Sequence, residues 1–243
     1  MPMGTLITFM VSSILWVSSI LSFSLFGIAF ICLSFVVPFA WLQPLARLVS
    51  RVVLLAAGQR IQLHSPCPPP KDGPYIYMFN HTSLLDTFVL LAIIPEFTAA
   101  IGKAEQFKIP IWGTMLRRWG AVPIHRSDLS RAISELGAVE ASLKSGRSLL
   151  ISPEGTRSPN GRLTTFKKGP FHVAMNAPTT IVPIGIVGAY KAKRKGDWTL
   201  RPNCIHVYVA PCIYPSDPAF ESKELLSHAT RTAIAQCLPS EQC

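Results

Sequence analysis

From Met1 to Ala46 no side chain of this 243-residue chain carries a charge, and Arg47 is the first that does. A bilayer core needs roughly 20 apolar residues as a helix, so the run is about twice the minimum. Two arrangements fit it. One is a single tilted span ending near Pro38, where proline would break a continuing helix. The other is a hairpin that turns between Ser22 and Gly27 and re-emerges on the same side. Ser12, Ser13, Ser18, Ser19, Ser22 and Ser24 dilute the first half and favour the hairpin. A cleavable leader is not expected, because no basic stretch precedes the run and the run is too long. Arg47, Arg51 and Arg60 follow it directly. They put the remainder on the cytoplasmic side (of the inner membrane, in a bacterium) and can pair with anionic phospholipid headgroups. Residues 1–57 are therefore read as a membrane-associated helical segment and residues 58–243 as an α/β domain.

A formal charge of +10 points to an anionic partner, either nucleic acid or a membrane surface. The uncharged start, and the lack of interleaved basic and aromatic residues, exclude nucleic acid. The six cysteines (32, 67, 204, 212, 237 and 243) form no C-x-x-C pair and no zinc spacing, so no metal site is expected.

"LARLVSRVVLLAAG" is expected as an interfacial connecting helix, "RIQLHS" as a short strand, "PCPPPKDGP" as a loop and "YIYMF" as a buried strand. Helix then alternates with strand: a helix over 83–93 capped by Thr82 or Ser83; a helical stretch over 104–118 interrupted by Pro110; a helix with Leu129, Ile133, Leu136, Val139 and Leu143 on one face, ended by Gly146; strand "SLLIS"; helix "KKGPFHVAMNA"; strands "TIVPIGIVGA" and "IHVYVA". A last helix is capped by Ser216 or Asp217, with Pro218 in its first turn. Such alternation implies a largely parallel sheet flanked by helices, with ligand sites beyond the carboxyl ends of its strands.

Two polar clusters fall at such ends. "YMFNHTSLLD" puts Asn80, His81 and Asp86 in a stretch that otherwise reads as core, and "ISPEGTRS" follows a strand with a tight turn and a guanidinium. Taken alone, His81 could be a histidine bonded to a carbonyl, Asp86 a helix cap, and Glu154 and Arg157 partners of each other. The turn's bare amides with the Arg157 fork also suit a phosphate. Arg126 in "WGAVPIHRSD" reads alone as a solvated charge, and "FKKG" brings Lys167 to a helix start, where amides attract anions.

In order, these blocks resemble the glycerolipid acyltransferase family, most closely the 1-acylglycerol-3-phosphate acyltransferases. N-H-x-x-x-x-D stands as Asn80 to Asp86. A lysine block stands as "GKAEQFKIPIWG" with Lys103, and a glycine, apolar run and arginine as Gly120 to Arg126. F-P-E-G-T-R-S stands as Ser152 to Ser158, with "FKKG" after it, and a V-P-I strand as Val182, Pro183 and Ile184. The match covers roughly residues 58–210. Ser152 replaces an aromatic residue, and His125 a frequent acid.

The resemblance implies a glycerol-3-phosphate acyltransferase-like fold with an N-terminal membrane helix or hairpin. It implies acyl transfer from an acyl thioester, acyl-CoA or acyl carrier protein, to the sn-2 hydroxyl of lysophosphatidic acid, with no metal or prosthetic cofactor. His81 would be the general base, Asp86 the carboxylate that orients it, and Lys103 or backbone amides the oxyanion donors. Arg126, Arg157 and Lys167 would hold the acceptor phosphate and Glu154 its glycerol, with Asn80, Gly155 and Thr156 also in the substrate site. No G-x-S-x-G appears, which argues against a serine hydrolase. Acylation of glycerol 3-phosphate or another lysolipid remains open, as does a lipid-binding protein without catalysis.

Overall fold

A computed structural model describes residues 3–65, 72–125 and 129–243 of the chain. The proline-rich "PCPPPK" and Arg126 lie outside the described residues, as do the side chains of Leu129 and Ile133.

The elements in order are α1 (Met3–Leu33), α2 (Phe39–Ala56), β1 (Gln59–Leu63), β2 (Tyr75–Phe79), α3 (Asp86–Ile93), β3 (Thr98–Lys103), α4 (Trp112–Trp119), β4 (Val122–Ile124), α5 (Leu129–Lys144), β5 (Ser148–Ile151), α6 (Gly169–Asn176), β6 (Thr180–Val187), α7 (Ala189–Ala192), β7 (Asn203–Val209) and α8 (Lys223–Gln236). The seven strands form one sheet in the order β1-β7-β6-β2-β5-β3-β4. Every neighbouring pair runs parallel except β6 and β7. The predicted largely parallel α/β sheet is therefore what forms.

All five residues of β2 are buried because both sheet faces are covered. Tyr75, Tyr77 and Phe79 point into one core with Leu54 of α2 and Val89 and Leu90 of α3. Ile76 and Met78 point into the other, with Val139 and Leu143 of α5, Phe171 of α6 and Leu226 and Ile234 of α8. The sheet thus separates α2 and α3 from α5, α6 and α8.

Of the two arrangements expected for the N-terminal run, the hairpin turning between Ser22 and Gly27 does not form, and the run is instead one helix that stops short of Pro38. α1 is one unbroken helix of 31 residues, with no turn between Ser22 and Gly27. Its serines do not open it because their hydroxyls bond carbonyls one turn back: Ser13 Oγ donates to Phe9 O at 2.9 Å and Ser19 Oγ to Leu15 O at 2.5 Å. Gly27 is a close-approach residue, since a Cβ there would come within 2.8 Å of the Ile111 side chain. The chain turns only after Leu33, and Pro38 caps α2.

α1 also lies along the rest of the molecule. Ser12 Oγ bonds Leu200 O at 3.1 Å, Trp16 Nε1 bonds Trp198 O at 2.7 Å, and Ser18 Oγ bonds Ala56 O at 2.7 Å. Toward its other end the Phe30 ring sits 5.5 Å from Trp119, and Arg118 Nε bonds Ser34 Oγ at 2.9 Å. The Phe9 ring lies 5.1 Å from Trp198, so contacts from Phe9 to Phe30 span roughly 30 Å of helix. The outer stripe, including Ile14, Val17, Leu21 and Leu25, stays exposed, and α1 is long and apolar enough to cross a membrane by length and composition.

Two caps differ as well. α3 begins at Asp86, after a turn at 84–85, rather than at Ser83. The last helix is capped by Ser222, whose Oγ accepts from Leu225 N at 3.1 Å. Pro218–Glu221 form a separate 3-10 turn, and Asp217 instead accepts from Tyr214 N at 2.8 Å. In α5, Val139 and Leu143 are buried as expected and Leu136 packs beside them.

Candidate active site

The register of β2 on β5 pairs Met78 with Ile151. Three residues further along each strand stand His81 and Glu154, so both clusters emerge side by side on the carboxyl rim. The chain is bolted there. His81 N donates to Glu154 Oε1 at 2.7 Å, and His81 O accepts from Ser158 N at 2.7 Å.

Asp86, the first residue of α3, is fully buried. Its Oδ2 accepts from His81 Nδ1 at 2.8 Å, Thr82 N at 2.7 Å and Ser83 N at 2.8 Å. A carboxylate oxygen with two backbone donors beside it is an acceptor, so Nδ1 bears the imidazole proton and Nε2 holds the free lone pair. Asp86 is thus both a brace for the loop and the partner of the ring.

His81 lines a cavity of about 280 Å³. Its walls are apolar: Trp16, Ile20 and Phe23 of α1, Val53 of α2, Phe88 of α3 and Trp112 of α4. Arg157 lines the same cavity. An imidazole and a guanidinium at the edge of an apolar slot can engage a polar head while an aliphatic tail fills the remainder.

The structure gives other tasks to several residues. Asn80 is buried, with Nδ2 on Ile186 O at 3.0 Å and Oδ1 on Ile186 N at 2.7 Å, so it splices β2 to β6 with both its polar atoms engaged. Glu154, 2% exposed, uses Oε1 on His81 N and Oε2 on Thr164 N at 2.9 Å and Thr164 Oγ1 at 2.5 Å. It clamps the rim instead of reaching an acceptor's glycerol, and it is not Arg157's partner.

Lys103 is turned outward. β3 ends at it, Gln106 Oε1 caps its backbone N–H at 3.1 Å, and its ammonium lies 3.6 Å from Glu105 on an exposed surface. It does not line the cavity that holds His81, whereas Gln106 does. Gly155, at φ 70, makes the tight turn that only glycine adopts easily. Thr156 is exposed and receives Lys195 Nζ at 3.3 Å, which also donates to Arg157 O at 3.0 Å. Lys167 is exposed, with its N–H on Pro153 O at 2.7 Å. His125 is paired, its Nδ1 lying 2.5 Å from Glu135 Oε1.

Sequence reasoning missed the α1 wall and the basic pair Lys193–Lys195. Lys193 is buried, donates to the carbonyls of Arg194 and Asp197, and its own carbonyl accepts from Ser83 Oγ at 3.0 Å. Burial, with the Arg157 guanidinium nearby, holds its ammonium below the ordinary lysine range. The run "KAKRK" after β6 was the available signal.

A family profile described as Acyltransferase matches residues 60–187. The chain is 41% identical over 138 residues to a 1-acyl-sn-glycerol-3-phosphate acyltransferase of Cocos nucifera, covering 56% of this chain and 45% of that one. It is 34% identical over 171 residues to a chloroplastic protein of the same description from Arabidopsis thaliana, covering 70% and 46%. It spans about half the length of these curated relatives. It shares its fold with the crystal structure of the 1-acyl-sn-glycerophosphate acyltransferase of Thermotoga maritima, at a TM-score of 0.86 and 23% identity over 97% of this chain and 96% of that one.

Proposed function

The chain belongs to the acyltransferase family, and from that premise we propose that it moves a fatty acyl group from an acyl thioester to the sn-2 hydroxyl of lysophosphatidic acid, giving phosphatidic acid. The observation that carries this reading is the His81–Asp86 pair, 2.8 Å apart, at an apolar cavity that also holds Arg157.

His81 Nε2 takes the acceptor's hydroxyl proton as that oxygen attacks the thioester carbonyl. The C–O bond forms, a tetrahedral intermediate carries the negative charge on the former carbonyl oxygen, and its collapse breaks the C–S bond. The departing thiolate recovers the proton from the imidazolium, which Asp86 stabilises meanwhile. No protein nucleophile is needed, because the acceptor hydroxyl is one. Arg157 holds the acceptor phosphate, with Lys195 beside it, and the cavity between α1, α2, α3 and α4 takes an acyl chain.

The test is an assay of the purified chain in detergent with lysophosphatidic acid or glycerol 3-phosphate as acceptor and acyl-CoA or acyl carrier protein as donor. Turnover is expected with lysophosphatidic acid; its absence with both donors would refute the reading. In the same assay Arg157→Ala should raise the acceptor KM by about tenfold or more and leave the donor KM alone, because a charge-assisted pair is lost. Arg157→Lys should recover only part of this, since an ammonium makes no bidentate fork. Equal changes for donor and acceptor would make Arg157 a structural residue.

Residues 1–57 serve in this proposal as the membrane-associated unit. α1 lies in the plane of the bilayer surface with its exposed stripe in the acyl region, since an amphiphile packed along its own domain has only its outer face to offer lipid. Trp41, Leu48 and Leu55 of α2, and Phe35 and Val36 at the bend, are further exposed apolar side chains for lipid. The chain then sits on phospholipid at the cytoplasmic face, and the acceptor enters from the bilayer. Single cysteines at Gly4 and Lys71 should both resist an impermeant label added outside sealed cells. Labelling of Gly4 alone would mean that α1 crosses the membrane.

A further inference from the structure

On the side of the sheet away from α1 and α2 a second cleft, of about 490 Å³, opens where α6 and α8 begin. Lys167, Lys168, Lys223 and Arg231 line it, with His228, against one carboxylate, Glu224. Glu224 lies 3.5 Å from Lys168 and both are largely exposed, so the cleft keeps a clear excess of positive charge. Lys223 Nζ stands 3.3 Å from His172 Nε2, a neighbour that brings no negative charge.

The floor is aromatic. The Phe166 and Phe171 rings lie 18° from coplanar with centroids 6.2 Å apart. The Arg231 guanidinium stands 5.5 Å over Phe166, held there by the carbonyls of Thr164 and Leu163. Phe171 is buried beneath Phe166, so the planar group left for a ligand is the anchored guanidinium, which with a rim of lysines suits a base that carries phosphates.

Its position narrows the ligand further. One wall of the cleft is the segment 165–168, and this stretch with Thr164 before it also touches the catalytic rim: Thr164 on Glu154 and Lys167 N on Pro153 O. The cleft is therefore next to the site of acyl transfer, yet it opens away from the apolar face formed by α1 and α2. In the membrane-bound orientation proposed above the cleft faces water, which suits a water-soluble donor better than a ligand dissolved in the bilayer.

Building on the acyl-transfer reading, we propose that this cleft binds the phosphorylated adenosine end of a coenzyme A thioester, the leaving group of the donor. Lys168 and Lys223 contact its phosphates and the Arg231 guanidinium, braced on Phe166, stacks on the base. The inference selects acyl-CoA over acyl carrier protein as the donor this chain uses.

The experiment uses the full chain in detergent with the double variant Lys168→Gln/Lys223→Gln. Adenosine 3′,5′-bisphosphate is titrated calorimetrically into both proteins, and kinetics are measured with acyl-CoA and with acyl-pantetheine, which lacks the nucleotide. The nucleotide should bind the wild type and compete with acyl-CoA. The double variant should weaken that binding and raise the KM for acyl-CoA by about tenfold or more, with acyl-pantetheine and lysophosphatidic acid kinetics unchanged. An unchanged KM for acyl-CoA, equal rises for both donors, or a loss confined to acyl carrier protein would overturn the proposal. Wild-type turnover of acyl-pantetheine reports on acyl transfer independently, and nucleotide binding is measurable whether or not turnover occurs, so the two readings fail separately.

Discussion

His81→Ala should lower acyl transfer by about 10³-fold or more while the protein stays folded and membrane-bound, because a positioned general base contributes roughly 10² to 10⁴. The ring is 22% exposed at the mouth of the cavity, and its backbone N–H and carbonyl, which tie the rim together, survive the substitution. Asp86→Asn is the companion test. Asp86 Oδ1 is buried with no hydrogen-bond partner among the described residues, so the amide nitrogen can take that position while the remaining oxygen still meets Thr82 N and Ser83 N. The fold is then kept, but the imidazolium loses its counter-charge, and the fall should approach the size known for a triad carboxylate, about 10⁴. Retention of more than about a tenth of wild-type turnover by His81→Ala would refute the general-base role. Circular dichroism on the same preparations separates lost chemistry from lost structure.

Glu154→Ala should instead act through stability. Three donors converge on this buried carboxylate: His81 N, Thr164 N and Thr164 Oγ1. Removing their common acceptor leaves two backbone amides and a hydroxyl without partners. At about 1 kcal/mol or more for each group the loss is about 3 kcal/mol or more. For a chain of this size that corresponds to a fall in Tm of about 10 °C. Activity should fall with it, because the loop holding His81 is released. Glu154→Gln should lose about half as much, since one oxygen still accepts on one side while the amide nitrogen faces donors on the other. Unchanged thermal unfolding with a raised acceptor KM would return Glu154 to the substrate-positioning role that its motif suggests.

The contrast between these residues separates what was legible in the sequence from what was not. The buried strands were readable because β2, β5 and β6 are covered on both faces, which demands unbroken apolar runs. The rim was readable too, because polar clusters directly after such runs must emerge at strand ends. His81, Asp86, Glu154 and Arg157 were therefore found together, but the direction each side chain takes was not encoded locally. Glu154 turns inward because His81 after β2 and Thr164 before α6 bring donors beside it, and Asn80 because β6 brings the N–H and carbonyl of Ile186. Lys103 turns outward because the next turn caps its backbone.

The uncharged run from Met1 to Ala46 determined by itself that the chain has an apolar helical beginning, since nothing in it can be solvated as charge. The alternation beyond it likewise determined an α/β sheet with its chemistry on one rim. Tertiary structure alone decided that α1 is continuous and lies along the domain. Ser12, Ser13, Ser18 and Ser19, which read as interruptions, are satisfied within the helix or by Leu200 and Ala56, which are 188 and 38 residues away in the chain from Ser12 and Ser18. The same packing closes the apolar cavity with Trp16 and Phe23, and the meeting of α6 with α8 assembles the basic cleft. Such surfaces arise from residues distant in sequence, and no local pattern of charge or hydropathy records which of them will meet.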